Sequence, residues 1–368
     1  MVDARNEAAV ERLRAGKRRD EKPFALMVAN LGAARALVHL TPAAEAALEV
    51  PERPIVLAER RDADEALAPA VAPRVHRLGV MLPTTPMQFL LADAFDGPLI
   101  MTSANESDDP LVKEDEEARA RLDFVDAFLT HDRGIERAVD DSILADTPRG
   151  LLPLRRARGY VPTPHRLPIP ATEPGLAVGG ELKNAVAVVR GDEAILSQHL
   201  GDLTYTLAHR RFERTLADLK RLFDVHPRWI AYDPHPDYRS RTWAVEQAAA
   251  AGLEAVPVQH HHAHLASLMA ERGRIEPTIG LVCDGVGYGD DGTAWGGEIL
   301  LGDLVAARRL GHVRALRLPG GDAAARETGR AALSWLWDLL GPDAAEHATA
   351  RQALPDAARR RSIGRLLE

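Results

Sequence analysis

Cysteine is almost missing: Cys283 is the single one in a chain of 368 residues. One thiol excludes an internal disulfide framework and any zinc site made of cysteines alone, and it suits a reducing cytoplasm. Aromatic residues are scarce at 5%, which argues against the stacking platforms that grip unpaired bases. No apolar run approaches the roughly 20 residues of a membrane-spanning helix. The early charges of residues 1–19 are also unlike the apolar stretch of a signal peptide. Repeats at solenoid spacing and long low-complexity tracts are lacking too. The net charge of −8 argues against a surface built broadly for nucleic acid, although local phosphate sites depend only on where a few Lys and Arg residues sit. What remains is a chain with 46% apolar residues, long enough for two cores, and the expected class is a soluble enzyme.

A Pro-rich stretch, Val161-Pro-Thr-Pro-His-Arg-Leu-Pro-Ile-Pro170, continues through Pro174. Proline removes amide donors and disfavours helix, so this segment is expected to be an interdomain linker. Before it, Asn6–Arg14 has helical periodicity, Ala25–Val28 and Pro98–Met101 resemble short strands, and Asp115–Leu122 is a charged helix, together an α/β unit. After it, residues 175–179, 185–189 and 194–197 predict strands. A helix is expected over Thr204–Phe223 with Leu207, Phe212, Leu216, Leu219 and Leu222 on one face. A strand at Trp229–Tyr232, a helix at Tyr238–Ala251 and a strand at Ala255–Val258 follow. A His-rich helix start comes next, and then a Gly-rich hairpin from Thr278–Asp284 back through Trp295–Leu301.

The sharpest chemical signal is Gln259-His-His-His-Ala-His264. His260 and His264 are four apart, so on a helix they share a face with Cβ atoms about 5–6 Å apart. Two imidazoles so placed can grip one borderline metal ion. His261 and His262 point elsewhere, towards substrate or a supporting role, and a solvated histidine cluster is the plain alternative. In Asp284-Gly-Val-Gly-Tyr-Gly-Asp-Asp-Gly292, glycines such as Gly285 and Gly287 let backbone amides approach phosphate, and the carboxylates suit Mg²⁺ or a transition metal; a tight hairpin accounts for the glycines as well. Gly179-Gly-Glu-Leu-Lys-Asn184 offers a flexible turn with Lys183 and Asn184, or a simple surface turn. Between Arg12 and Lys22 six cations stand within eleven residues, including Lys17 and Arg19. Such a cluster fits a triphosphate or, equally, a solvated helix face. Met101-Thr-Ser-Ala-Asn105 ends an apolar strand with Ser103 and Asn105, compatible with phosphate, ribose or an ordinary turn.

Taken together these strings resemble one family. Lys17-Arg-Arg-Asp-Glu-Lys-Pro-Phe-Ala25, Met101–Asn105, Asp132-Arg133, Asp140-Asp-Ser142 and Arg158-Gly-Tyr-Val-Pro162 are similar to the YrdC-like domain. Gly179–Asn184, Gln259–His264 and Asp284–Glu298 are similar to the TsaD-like, actin-fold domain. The tandem, YrdC-like part first, resembles the HypF-type carbamoyltransferases of [NiFe]-hydrogenase maturation. The resemblance implies an α/β chain in which a YrdC-like α/β domain (1–160) precedes, across a linker (161–174), the first half of an actin-like (ASKHA) α/β domain (175–368). It implies that carbamate derived from carbamoyl phosphate is adenylated with ATP and Mg²⁺. The carbamoyl group then passes, at a divalent transition metal (Zn or Fe), to the C-terminal cysteine of HypE. Lys17, Arg19, Lys22, Ser103 and Asn105 would bind ATP or the adenylate, with Lys183, Asn184, Gly285 and Gly287 also near nucleotide. His260, His264 and Asp284 would form the metal and catalytic centre. The YrdC-like fold is compatible with double-stranded RNA, which the net charge disfavours, and no membrane partner is implied.

Departures from the family pattern stand beside the matches. Ser107-Asp-Asp replaces Ser-Gly-Glu, and Arg326-Glu-Thr-Gly-Arg330 lacks a preceding Pro-Trp. Met1-Val-Asp-Ala falls where the family would still be inside its first YrdC-like strands, and Glu368 where a second actin-like half should begin, which suggests a YrdC-like part cut at its start and a TsaD-like part cut at its end; the family's acylphosphatase-like and cysteine-rich zinc-finger parts have no counterpart. Two rivals follow: an O-carbamoyltransferase acting on a small-molecule hydroxyl, and a non-catalytic metal- and nucleotide-binding fragment.

Overall fold

A computed structural model describes every residue except 20–21, 62–66, 106–110, 322 and 325–326. Ser107, Asp108, Asp109 and Arg326 therefore lie outside the described residues. The chain divides into two compact units, Met1–Val256 and Pro257–Glu368.

The first unit begins with a mixed sheet of β1 (Val2–Asp3), β2 (Ala25–Met27), β3 (Val38–His39), β4 (Ile55–Arg60), β5 (Arg77–Met81), β6 (Leu99–Met101), β7 (Ile143–Thr147) and β8 (Gly150–Arg155). Their order is β1-β6-β2-β5-β4-β7-β8, with β3 beside β4. Parallel pairs β2–β5 and β4–β7 put Leu26 opposite Val80 and Val56 opposite Leu144. These apolar side chains are almost wholly buried beneath α1 (Glu7–Lys17), α2 (Leu31–Leu37) and α3 (Pro42–Glu49). Helices α4 (Pro86–Ala94) and α5 (Asp115–Arg121) complete this part. Local chemistry sets the helix starts. Asn6 accepts a bond from Ala9 N–H at 3.1 Å, and proline opens α3 and α4, where its missing N–H costs nothing. Thr41, which caps α3, is itself held by the buried Asp146 of β7, whose carboxylate accepts from Thr41 N at 2.9 Å and Oγ1 at 2.8 Å.

The second sheet of this unit contains β9 (His165–Arg166), β10 (Gly175–Ala177), β11 (Ala187–Arg190), β12 (Glu193–Leu196), β13 (Trp229–Tyr232) and β14 (Glu254–Pro257), in the order β14-β13-β10-β11-β12-β9. The Pro-rich stretch expected as a linker supplies β9, which pairs with β12 at the sheet edge, where prolines beside a strand leave no ladder bond unmade. Helix α6 (Thr206–Leu222) covers the sheet through Phe212, Leu216 and Leu219, while Leu207 and Leu222, expected on the same face, are exposed. Helix α7 (Arg239–Ala251) adds Trp243, which meets Phe212 edge-on at 5.3 Å.

The second unit places α8 (His260–Glu271) against an antiparallel sheet of β15 (Thr278–Tyr288), β16 (Ala294–Gly302) and β17 (Ala307–His312), in that order. Three further helices, Thr328–Leu340, Ala348–Ala353 and Ala357–Leu367, share a small core around Leu333, Ile363 and Leu367. Buried Arg360 spends its guanidinium on the carbonyls of Ala345, Leu354 and Pro355.

Phe212 is fully buried. Its truncation to alanine removes a large aromatic filler that the surrounding sheet and helix cannot replace by collapse. Urea unfolding should show Phe212→Ala destabilised by about 3–5 kcal/mol; a change below 1 kcal/mol would place that ring outside the core.

Candidate functional site

Leu265 and Met269 of α8 pack with Val282 of β15 and Leu300 of β16 in one buried cluster. This contact fixes the helix along the sheet and sets its first turn beside the middle of β15. There the nitrogens of His260 and His264 and a carboxylate oxygen of Asp284 all lie within 4.8 Å of one another. His260 Nε2 is 3.0 Å from Asp284 Oδ2, and the His260 and His264 rings meet edge-on at 5.0 Å. Asp284 Oδ1 accepts from Gly285 N–H at 2.7 Å. The His260 hydrogen bond, with help from Gly285 N–H, holds the Asp284 carboxyl at about 2, against an opposing push from burial. It is an anion throughout the neutral range.

A tetrahedral ion with ligand bonds of about 2.0–2.2 Å keeps its ligand atoms roughly 3.4 Å apart. His260 Nε2 and Asp284 Oδ2, 3.0 Å apart, lie near that value, and His264 lies within 4.8 Å of both. Oδ2 of Asp284 is buried, with His260 Nε2 beside it at 3.0 Å, so two of the three donor atoms already face each other away from solvent. Two imidazoles and one carboxylate, with further positions open, suit zinc in a catalytic arrangement or ferrous iron. Among the described residues this is the one such group.

The glycine-rich run has a more varied structure than a phosphate loop. β15 continues through it as far as Tyr288. A Cβ on Gly287 would stand 2.5 Å from His261 Cε1 and 2.6 Å from His260 Cδ2, so the bare backbone there makes room for both rings. The reversal falls at 289–293, where Gly292 adopts φ +75°. Asp291, one of the carboxylates expected to face a metal, staples this turn, accepting from Thr293 N, Thr293 Oγ1 and Trp295 Nε1. His261 is fully buried and burial pulls its pKa down. His262 Nε2 meets the Asp303 carbonyl at 2.9 Å, a bond within the fold.

The first unit brings together Lys17, Ser103 and Asn105, the residues expected to bind nucleotide. Buried Lys17 Nζ donates to the carbonyls of Ser103 (2.7 Å) and Asn105 (2.5 Å) and to Asn105 Oδ1 (3.1 Å), and Ser103 Oγ meets the same Oδ1 at 2.6 Å. Burial, then repulsion from Arg19, pulls the Lys17 ammonium down to about 8. Arg19 lies over the Phe24 ring and donates to the carbonyls of Lys22 and Pro23, while Lys22 itself is exposed. In the 179–184 turn, Lys183 is exposed with φ 49°. Asn184 is buried, and its amide ties the turn to the carbonyls of Val178 and Gly180.

Comparison with known proteins gives the same assignment along the whole chain. A family model described as telomere recombination (Sua5/YciO/YrdC) matches residues 1–157, one described as HypF Kae1-like domain matches 170–271, and one described as carbamoyltransferase, Kae1-like domain, second subdomain, matches 280–367. The carbamoyltransferase HypF2 of Cupriavidus necator is 46% identical, over 91% of this chain and 44% of its own length. The chain belongs to the HypF carbamoyltransferase family.

Carbamoyltransferase HypF of Rhodobacter capsulatus is 45% identical over 90% of this chain and 45% of its own length. The chain thus spans less than half the length of these curated HypF relatives. A full-length HypF solved in its phosphate- and nucleotide-bound form superposes with a TM-score of 0.91 at 36% identity, covering 100% of this chain and 56% of that one. The HypF of T. kodakarensis gives 0.86 at 35%, covering 92% and 44%. The α/β architecture with YrdC-like and Kae1-like parts is therefore that of HypF. The expected actin-like region, 175–368, is largely covered by the two Kae1-like family models, at 170–271 and 280–367.

Two contributors to the site escaped the sequence. Gln259 caps α8, accepting from His262 N at 2.8 Å; an unusual capping residue directly before the histidines was the available signal. Arg309 reaches buried Glu298 at 2.6 Å and stacks on Trp295 at 4.1 Å, a pairing visible only once the β16–β17 register is known.

Lys17 also gives a pH dependence. Its pKa falls from 10.5 in the open chain to about 8 in the fold, so between these values the unfolded chain binds more protons and stability rises with pH. Relative to Lys17→Met, wild-type unfolding free energy should therefore climb as pH goes from 8 to 10.5 in denaturant titrations. A flat difference across that window would contradict the buried ammonium.

Proposed function

We propose that the chain carries out the ATP-dependent carbamoyl chemistry of the HypF carbamoyltransferases, in the cytoplasm, for the cyanide ligands of the [NiFe] centre. The observation that carries this is the His260–His264–Asp284 cluster, set in a chain whose whole length matches HypF. In the first step a carbamate oxygen attacks the α-phosphorus of ATP, delivered with Mg²⁺, and pyrophosphate leaves, giving carbamoyl adenylate. Carbamate alone is a poor electrophile, because its anionic oxygen leaves badly; adenylation supplies a good leaving group. Lys17, Arg19 and Lys22 supply positive charge for the phosphates, and Ser103 and Asn105, already positioned by Lys17, supply polar contacts. Exposed Lys183 in the first unit and exposed Gly285 in the second remain open to nucleotide, whereas Asn184 and Gly287, expected there too, are buried and taken up by contacts within the fold.

In the second step the thiolate of the C-terminal cysteine of HypE attacks the carbamoyl carbon. A C–S bond forms, the bond from that carbon to the adenylate oxygen breaks, and AMP departs with the electron pair. His260, His264 and Asp284 would hold a divalent ion, which when bound would supply Lewis-acid polarisation of the carbonyl. Asp284 remains ionised, and buried, neutral His261 adds no competing positive charge. The −8 charge supports a protein acceptor over RNA.

Elemental analysis of the purified chain should find about one divalent transition metal, lost in His260→Ala/His264→Ala; unchanged metal content in that variant would remove the site.

A second experiment separates the two steps. Supplied with ATP, Mg²⁺ and ammonium bicarbonate, in which carbamate forms at equilibrium, the wild-type chain should release pyrophosphate. It should also add one carbamoyl group to HypE, seen by intact mass. The double histidine variant should keep the first activity and lose the second. No carbamate-dependent pyrophosphate release by wild type would overturn the proposal.

A further inference from the structure

Gln259 makes more bonds than a helix cap needs. Its Oε1 accepts from His262 N at 2.8 Å, which secures the first turn of α8. Its Nε2 donates to the Tyr288 carbonyl at 3.0 Å, at the end of β15, and lies 3.3 Å from Nδ1 of buried His261. Because Oε1 is bound to an N–H, the two hydrogens of Nε2 are the ones left for the carbonyl and the ring. One side chain thus joins the helix that bears His260 and His264 to the strand that bears Asp284.

We propose that Gln259 is a positioning residue for the His260–His264–Asp284 cluster, a strap that sets α8 against β15 at the spacing a divalent ion requires. The inference rests on the metal-binding role assigned above. Capping alone does not explain the residue, since the shorter Asn, Asp, Ser and Thr cap helices best. The additional methylene of glutamine provides the reach to Tyr288. Its neighbours are the ones that matter: His260 is the next residue, and Tyr288 follows Gly287, whose bare backbone touches both His260 and His261. At so close an approach, a small sliding of helix over strand either drives the rings into the strand or pulls His260 away from Asp284. Supporting partners of this kind typically change metal affinity on the order of 10–100-fold.

The test is cobalt(II) titration of the full chain, followed by its visible d–d absorption, with zinc competition for affinity and thermal unfolding alongside. Gln259→Asn retains a strong cap but is too short to reach Tyr288. Gln259→Glu retains the length and sets a carboxylate oxygen against the Tyr288 carbonyl. Both are expected to bind cobalt about 10–100-fold more weakly, with an altered d–d spectrum, and Gln259→Asn is expected to unfold near the wild-type temperature. If Gln259→Asn fails to fold, Gln259→Glu decides alone. Wild-type affinity and spectrum in the folded variants would overturn the positioning role, whereas a wild-type chain that takes up no cobalt would overturn the metal site itself.

Discussion

Two imidazoles and a carboxylate from separate elements can meet only if the helix carrying the first two lies almost in contact with the strand carrying the third. In this protein that requirement is met at residue 287, where a Cβ would overlap both His260 and His261. The apolar contact of Leu265 and Met269 with Val282 and Leu300 presses the helix down. The missing side chain at 287 lets it come close, and Gln259 stops it from sliding. Any one of these alone would leave the nitrogens and the oxygen too far apart or in the wrong register. The centre is thus a product of packing as much as of donor chemistry.

A second theme is the use of cations within the fold. Lys17, Arg19 and Arg360 turn their charges onto backbone carbonyls. An ammonium buried with three oxygen acceptors organises the Ser103–Asn105 loop from beneath, at the cost of a pKa drawn down towards neutrality. A loop held in this way needs no ligand to keep its shape, and any ligand that meets it is spared part of the ordering cost of binding.

Elements with strong local signals were legible from the sequence. The apolar face of α6 and the short apolar run of β13 gave elements at nearly the right boundaries, and the four-residue spacing of His260 and His264 gave the cluster. Leu207 and Leu222 were misplaced because periodicity names a face and not its ends, where the helix outruns the sheet beneath it. The glycines between 285 and 292 carried two functions that composition cannot separate: close approach at 287 and a reversal at 292. Within the Pro-rich stretch, His165–Arg166 forms a short edge strand because a pairing partner 27 residues or more away decides it: His165 meets Ala194 and Arg166 meets Glu193. Long-range pairings of that kind, like Arg309 with Glu298, have no local signature.

Alternation along β15 has one more effect. Successive side chains point to opposite faces of a strand, so exposed Cys283 lies on the face away from its neighbour Asp284. The chain has no other thiol. A maleimide dye would therefore attach at one place, a single peptide unit from the carboxylate yet screened from it by the sheet. The protein carries a ready attachment point for a fluorescent or spin-labelled observer of its own centre, installed without changing any residue.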